Sequence, residues 1–338
     1  MIKKIEYIWI EPSRLNSIHC KTKIHDLPAN SFTIKDVPFS YIDELKTSID
    51  NEKKLLVPVS VLPDPQRQDG IIALCDRRGI DGSLSEYNFR YKLSSLISNA
   101  SLVKNAGSVN FIASFKQEFL ILSKNKDENS SYYGSPYSAL SDSISNYKYN
   151  DNYCTINSDH RDFIEDLINL CLSLSLPIRG STFESYPFQW SVDIDSYDFD
   201  LVKMADNIIF LRFLTQRLAE KYGYQIIFDT RYFGNTRVDN NLITTISSDL
   251  MRGDDGIEWL NSNLNVLKAT KNNLASVFSL NPHEQILDRV RIPDMVLSHG
   301  RGFIEDRRPN GSADPYSVLH YIISTIYENE KVNFYQNK

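Results

Sequence analysis

Residues 300–309 bring together side chains that could carry out chemistry. Positions 305–308 read Glu-Asp-Arg-Arg and stand between a glycine-flanked apolar pair and a proline. Four adjacent charges in this setting are poor helix material. For an arbitrary charged tetrad a surface turn with local ion pairs is the general expectation, because exposed pairs contribute little. The flanking segments 291–293 (Arg-Ile-Pro) and 314–316 (Asp-Pro-Tyr) favour the wall of a functional site instead.

Two further stretches place charged groups on predicted strands. In residues 111–122 the strand alternation puts Phe115 and Phe119 on one face and Lys116 and Glu118 on the other. In residues 188–194 the bulky side chains alternate with polar ones, which predicts a polar face toward a cavity or solvent. Glu184 lies in the turn just before this second strand.

The elements that position these residues follow from apolar spacing. Short β-rich runs occupy the first eighty or so residues, which indicates an N-terminal sheet. Helices are predicted near 87–96, from Asp159 as a cap to a stop at Pro177, and over 202–222 with Gly223 as its end. Residues 123–159 are polar and predict a long excursion. Together these elements predict an α+β fold.

Bulk properties exclude several classes of protein. A length of 338 residues predicts about two domains. The net charge of -6 supplies no basic stripe, so nucleic acid is not an expected partner. The apolar runs are too short to span a membrane, and no apolar signal core follows the N-terminus, so we expect a cytoplasmic protein. Four scattered cysteines predict reduced thiols and no zinc site.

The motifs at 291–293, 302–309 and 314–316 together resemble the catalytic-domain signature of the glutamine synthetase family. Residues 9–11, 20–23 and 56–60 resemble the β-grasp domain of its eukaryotic-type (type II) members. The resemblance implies a β-grasp domain over residues 1–86 and a glutamine-synthetase-like catalytic domain over residues 87–338. It also implies a ring, which for a eukaryotic-type member is a decamer of two stacked pentamers.

Family members convert glutamate, ammonia and ATP to glutamine through γ-glutamyl phosphate, with two divalent cations. Clustered carboxylates suit Mg²⁺ or Mn²⁺ because these ions prefer oxygen ligands. By resemblance the metal ligands are Glu118, Glu184 and Glu305. By resemblance Arg291 faces the nucleotide, and Arg307 and Arg308 face the substrate.

Other family positions carry different residues, so the resemblance implies a degenerate active site. Lys116 and Ser191 stand where the family has glutamates, and Ile243 stands where it has a metal-binding histidine. Thr33 and Lys53 stand where it has aspartates on the substrate side. By this comparison one cation site keeps two of three ligands, and the other keeps only Glu305.

These losses favour a pseudoenzyme with a structural, regulatory or interaction role. A diverged ATP-dependent carboxylate-amine ligase with one metal is the alternative, and a nucleotide-binding sensor is a third hypothesis. Mg²⁺ or Mn²⁺ with ATP, at a weakened site, is the only cofactor set implied. An active glutamine synthetase or a pathway enzyme is the implied partner beyond the ring. We expect Lys116 to occupy the emptied metal position and to pair with Glu118 or Glu305, since buried acids need a compensating charge.

Overall fold

A computed structural model describes most of the chain. The described residues are 1–11, 17–27, 33–42, 54–102, 110–123, 160–186, 188–195, 200–233, 236–270, 274–279 and 289–336. Lys53, the predicted cap Asp159 and nearly all of the predicted excursion at 123–159 lie outside them.

The N-terminal part forms a five-stranded sheet in the order β2-β1-β5-β4-β3. Its strands are β1 (Ile2–Glu11), β2 (Ser17–Asp26), β3 (Ser40–Ile42), β4 (Lys54–Pro63) and β5 (Gly70–Arg78). The neighbouring strands β1 and β5 run parallel, and the other pairs are antiparallel. The predicted N-terminal sheet is therefore present, with longer strands than the apolar runs indicated.

The strands β1 and β5 of this first sheet have buried residues on both faces. Ile5, Tyr7 and Trp9 lie on one face of β1 in a small core of their own, whereas Ile8 on the other face joins the main core. Ile72 of β5 belongs to that main core as well. Successive strand residues point to opposite faces, so a continuous apolar run here reflects a sheet covered on both sides.

A second, seven-stranded sheet follows the order β13-β14-β12-β6-β8-β7, with β9 also paired to β6. Its strands are β6 (Ile112–Ser123), β7 (Ile178–Phe183), β8 (Gln189–Asp195), β9 (Tyr224–Ile227), β12 (Leu242–Ser247), β13 (Val290–Arg291) and β14 (Ile304–Asp306). The short strands β10 (Arg231–Phe233) and β11 (Thr236–Val238) form a separate hairpin. All pairings within the seven-stranded sheet are antiparallel.

The chain also forms helices, some of which contact this sheet. They are α1 (Phe89–Leu102), α2 (Arg161–Ser173), α3 (Leu201–Tyr222), α4 (Asp249–Arg252), α5 (Gly256–Ala269), α6 (Leu274–Val277), α7 (Asp294–His299) and α8 (Pro315–Gln336). The predicted helix over 202–222 is confirmed as α3, and Gly223 ends it in the left-handed conformation with φ 70°. None of the described helices is long and apolar enough to cross a membrane.

The start of α2 differs from the prediction. His160 precedes its first residue in the left-handed region, with φ 64°, and makes no side-chain capping hydrogen bond. The edges of its ring pack against Phe188 and Tyr224, with centroids 5.7 and 4.8 Å away. Aromatic packing accompanies this helix start, and apolar spacing alone does not reveal it.

As predicted, one face of β6 carries apolar side chains and the other face carries charged ones. Phe115, Phe119 and Ile121 are buried in the main core. Lys116 and Glu118 point the other way, as strand alternation requires. The strand is therefore packed into the protein through its apolar face.

A buried polar network also supports β6 from the core side. Gln117 accepts a hydrogen bond from Arg212 Nε at 2.7 Å and donates to the carbonyl of Gly311 at 3.0 Å. Arg212 Nη1 donates to the carbonyl of Ala313 at 2.8 Å. A Cβ on Gly311 would lie 2.1 Å from the carbonyl oxygen of Phe228, so only glycine fits this close approach. The segment after the charged motif is thus fixed to the strand that carries Lys116 and Glu118.

Candidate active site

Strand register places the candidate residues on a grid, since directly opposite residues share a face. One row contains Arg291, Glu305, Thr245 and Ser114. The next row contains Ile243, Lys116 and Asp193, and a third contains Glu118, Ser191 and Thr182. The sheet therefore brings most of the predicted site residues together on one surface.

Lys116 pairs with Glu184. Its ammonium Nζ lies 2.6 Å from Glu184 Oε1, and Ser191 Oγ donates to the same oxygen at 2.7 Å. The predicted partners were Glu118 or Glu305, so that pairing is corrected. Glu184 follows the end of β7, and two strand spacings bring it to the ammonium, which the linear sequence does not show.

The Lys116 ammonium remains charged despite its partial burial. Burial is the largest single cause and favours the neutral amine, but the charge and hydrogen bond of Glu184, together with the charges of Asp193 and Glu118, outweigh it and raise the pKa of Lys116. Asp193 is itself half-buried, and burial raises its pKa while Lys116 opposes that change. One lysine therefore faces three carboxyl groups.

Glu118 is buried and held by Asn241. Its Oε2 accepts hydrogen bonds from the Asn241 backbone N at 2.9 Å and from Nδ2 at 3.0 Å. Burial first, and the neighbouring Glu184 second, raise the pKa of Glu118 to about 7. The amide donors and Lys116 only partly oppose this.

Glu305 is shared by two arginines. Its Oε1 accepts from Arg291 Nε at 2.9 Å and also from Arg307 Nε. Burial acts against ionisation, but the hydrogen bonds and charges of both arginines lower the pKa of Glu305. The side chains of Arg291 and Arg307 remain 55% and 44% exposed. The structure thus brings these three predicted residues into one exposed cluster.

Arg308 occupies a different place from its neighbour. Its side chain is fully buried, with Nε and Nη2 donating to the two carboxylate oxygens of Asp306 at 2.9 and 2.6 Å. Nη1 donates to the carbonyl of Leu267 at 2.9 Å, and the group stacks over the Phe278 ring. This geometry does not fit the predicted contact with a substrate, because the guanidinium is enclosed in the core. It anchors α5 to the motif instead.

A second arginine cluster, around Asp239, was not predicted from the sequence. Asp239 accepts from Arg237 Nε at 2.6 Å and from Arg289 Nη2 at 2.8 Å. Arg289 also joins the motif, since its carbonyl accepts from the Arg307 backbone N at 2.8 Å. The spacing of Arg289 and Arg291 was the available signal, because residues two apart on a strand share a face.

The remaining substitutions are placed as follows. Ile243 is buried and lies directly opposite Lys116 on β12. Thr33 begins a short 3₁₀ turn in the N-terminal part, where its hydroxyl donates to Asp36 Oδ2 at 2.9 Å. Lys53 lies outside the described residues.

The donor set does not fit a divalent metal. Within the described ranges, no three His, Cys, Asp or Glu side chains are grouped so that they could hold a metal ion. Glu184 is occupied by an ammonium, Glu118 by two amide donors and Glu305 by two guanidinium groups. Each carboxylate that would bind a cation is already neutralised or hydrogen-bonded by the protein.

Known proteins resemble the chain throughout its length. The family model for the catalytic domain of glutamine synthetase matches residues 94–238. The chain is 27% identical over 345 residues to the glutamine synthetase of Emericella nidulans, covering 95% of this chain and 91% of the relative. It is 25% identical over 351 residues to that of Bradyrhizobium diazoefficiens, covering 96% of each.

Solved structures show the same fold. A structure of GmaS in complex with ADP has a TM-score of 0.70 at 16% identity, covering 98% of this chain and 79% of that one. The glutamine synthetase of Plasmodium falciparum, studied by electron cryomicroscopy, has a TM-score of 0.70 at 13% identity, covering 98% and 72%. The predicted α+β fold, with its N-terminal β-grasp part and catalytic domain, is confirmed.

Proposed function

Because the chain belongs to the glutamine synthetase family, we propose that it is a pseudoenzyme that does not make glutamine. It keeps the fold and serves a structural, regulatory or interaction role. The observation that carries this proposal is the Lys116–Glu184 ion pair, with 2.6 Å between Nζ and Oε1. An ammonium stands there among the carboxylates that the resemblance assigns to cations.

The size of the electrostatic change supports the proposal. Two unit charges 4 Å apart interact by about 4 kcal/mol at an effective dielectric of 20. A divalent ion beside Lys116 would meet twice that repulsion, and it would also lack the carboxylate replaced by Ser191. Phosphoryl transfer relies on metal ions to neutralise charge on the phosphates. In this chain Glu184 and Glu305 instead hold cationic side chains of the protein.

A diverged ATP-dependent carboxylate-amine ligase is the alternative. It would use one Mg²⁺ or Mn²⁺ on Glu118 and Glu184, the two carboxylates that remain near each other. Such an enzyme would have to move Lys116 away from Glu184 in each cycle. The pseudoenzyme requires no such rearrangement, which is why we favour it.

A nucleotide-binding sensor is favoured by a separate observation. Arg291 and Arg307 share one acid, Glu305, and both arginine side chains are partly exposed. The pair therefore has one positive charge in excess beside a surface open to an anion. ATP binding without turnover is compatible with the pseudoenzyme and would define its ligand.

The assembly is proposed from the family resemblance, and the location is proposed from the sequence. We propose a homo-oligomeric ring, in the form of two stacked pentamers, with mixed assembly alongside an active glutamine synthetase or a pathway enzyme. A cytoplasmic location is proposed as well, although the 24% identical relative from Drosophila melanogaster is named as mitochondrial. Native mass spectrometry of the purified protein, alone and mixed with a glutamine synthetase, tests the assembly.

The decisive experiment measures ADP release with ATP and Mg²⁺ or Mn²⁺. Glutamate with ammonia, and then a panel of amino acids and amines, would be the substrates. We expect no substrate-dependent ADP release. Substrate-dependent turnover that Glu118→Ala abolishes would overturn the pseudoenzyme and support the ligase, because a contaminating ATPase would not respond to that substitution.

A further inference from the structure

Strand β2 carries a row of basic side chains at one edge of the N-terminal sheet. Among the described strands it pairs with β1 alone. Four of its side chains are basic and occupy alternate positions, so they point to one face of the sheet. This basic row consists of His19, Lys21, Lys23 and His25. It stands out in a chain whose net charge is -6.

The two histidines at the ends of the basic row are held by aromatic neighbours on β1. His25 Nε2 lies 3.3 Å from the hydroxyl oxygen of Tyr7. The ring of His19 packs at a tilt against that of Trp9, with centroids 5.8 Å apart. These contacts fix the ends of the row beside the small apolar core of this sheet.

The two lysines at the centre of the row are partly exposed and lack an acidic partner. Lys21 Nζ donates to the carbonyl oxygen of Tyr41 at 3.0 Å, and this bond leaves its positive charge unbalanced. Within the described ranges no carboxylate pairs with Lys23 either. Lys3 on the same face differs, because Asp69 lies 2.8 Å from its Nζ. The edge therefore presents two ammonium charges about 7 Å apart, the spacing of alternate strand residues.

The opposite face of β2 presents a different surface. Cys20, Thr22 and Ile24 are exposed on it. Thr22 Oγ1 donates to Glu6 at 2.8 Å, whereas the side chain of Ile24 is 67% exposed. A strand placed beside β2 would meet cations on one face and an exposed apolar side chain on the other.

We propose that the edge of β2 binds an extended acidic segment of a partner protein, which joins the five-stranded sheet as a sixth strand. The backbone N–H and C=O groups of an edge strand are a template for such pairing. Acidic side chains at alternate positions of the segment lie beside the basic row at cross-strand contact distance. β-Branched residues between them cover Ile24. The inference goes beyond the proposed function, because this binding does not depend on the candidate active site.

Lysines on an edge strand can also have a purely protective role, since they prevent pairing with further copies of the same chain. Protection uses repulsion between like charges and involves no ligand. It predicts that variants without the lysines aggregate and that acidic peptides do not bind. Binding of a ligand of opposite charge is what distinguishes docking from protection.

The test is a titration of the full chain into a fluorescein-labelled peptide of alternating Glu and Val, with the ten-residue length of β2. Fluorescence anisotropy reports binding. We expect saturable binding that Lys21→Glu and Lys23→Glu each weaken about fivefold, and the double substitution about twentyfold. Hydrogen exchange of residues 17–26 should slow in the complex, because edge N–H groups become hydrogen-bonded.

Matched controls separate charge, face and backbone pairing. Lys4→Glu makes the same charge change on the neighbouring strand but on the opposite face, so it should alter affinity less than about twofold. Lys23→Gln removes the charge without reversing it and should have a smaller effect than Lys23→Glu. A peptide of alternating Lys and Val should not bind. N-methylation of the Glu–Val peptide at the nitrogens that face β2 should abolish binding.

The proposal is overturned if the Glu–Val peptide shows no saturable binding, or if folded Lys21→Glu and Lys23→Glu variants bind it as well as the unsubstituted protein. Undiminished binding of the N-methylated peptide contradicts strand addition. Tighter binding of a labelled decathymidylate would indicate a nucleic-acid surface instead. If the variants do not fold, equal binding of the Glu–Val and Lys–Val peptides by the unsubstituted protein refutes the proposal. Substrate turnover would contradict the proposed function alone.

Discussion

The two ends of the candidate site differ in which charge is in excess. At the acid-rich end, Lys116 alone faces the carboxyl groups of Glu118, Glu184 and Asp193. At the arginine-rich end, Arg291 and Arg307 share the single acid Glu305. The first end is largely enclosed, whereas both arginine side chains at the second are about half exposed.

This difference separates two functions that one site can combine. A cation-binding pocket needs free carboxylates, and the acid-rich end no longer offers them because its ammonium is built in. An anion-binding surface needs available cations, and the arginine-rich end still offers them. The charge distribution therefore supports binding of an anion more than metal-dependent transfer of a phosphoryl group.

The largest expected effect tests the claim that exposure, more than charge type, sets how much an ion pair contributes. Arg308→Ala should destabilise the fold by about 3–5 kcal/mol, since it leaves the fully buried Asp306 without its partner. Urea unfolding measures the change. Arg307→Ala, one residue away but partly exposed, should cost less than about 1 kcal/mol. Equal effects of the two would remove the distinction.

The next effect concerns the pH dependence of the acid-rich end. The pKa of Glu118 is about 7 in the fold, above the ordinary value of 4.5. The folded state therefore holds the proton more tightly, so its contribution to stability is present below pH 4.5 and is lost as the pH rises to 7. Glu118→Gln should flatten this decline by up to about 3 kcal/mol in urea unfolding curves.

A distant glutamate provides the control for that slope. Glu330 of α8 also has a pKa raised to about 7, mainly by burial, and accepts from Asn263 Nδ2 at 2.8 Å. Glu184→Gln should reduce the part of the slope due to Glu118 and leave the part due to Glu330 unchanged. Burial is the largest cause of the raised pKa at both residues, but the second cause at Glu118 is the charge of Glu184, which is not among the causes at Glu330.

A smaller effect should follow from removing the ammonium. Lys116→Ala in the absence of metal should lower the free energy of unfolding by about 1–3 kcal/mol at pH 7, because a buried acid loses a hydrogen-bonded partner. Chemical denaturation in chelator measures it. The loss should shrink toward acid pH, because protonation of the surrounding acids removes the negative charge that the ammonium faces. A loss that does not vary with pH would mean that packing of the lysine stem, not charge, is what Lys116 contributes.

The smallest effect concerns the arginine-rich end. Arg291→Ala should change stability by less than about 1 kcal/mol, since the pair with Glu305 is exposed on the arginine side. If the nucleotide-binding hypothesis holds, it should weaken ATP binding about tenfold in calorimetry, which is about 1.4 kcal/mol. No ATP binding by the unsubstituted protein would dismiss the sensor.

Sequence patterns predicted the positions of helices and strands better than they predicted side-chain contacts. Apolar spacing predicted helix α3 and the two faces of β6, because the repeat of apolar residues along a helix or a strand is a local property. The partner of Lys116 could not be predicted, since the choice among three acids depends on how β7 and β8 register beside β6.

The alternation of side chains along a strand also predicts which residues of the charged motif at 305–308 point toward the site, and the motif resemblance alone does not. Glu305 and Arg307 have the same parity in and after β14, and Asp306 and Arg308 have the other. Strand alternation therefore predicts one pair toward the site and one toward the core. Asp239 and Arg289 were harder to pair, because they are fifty residues apart in sequence and meet only in the folded chain.

The network of Arg212, Gln117 and Gly311 has an evolutionary consequence. It secures β6 and the segment after the charged motif from the core side, independently of the residues on the opposite face. A lineage can therefore exchange the side chains of the site face one at a time while selection still preserves the scaffold. Residues of the site can change without loss of the fold, because the two sets of side chains lie on opposite faces of one strand.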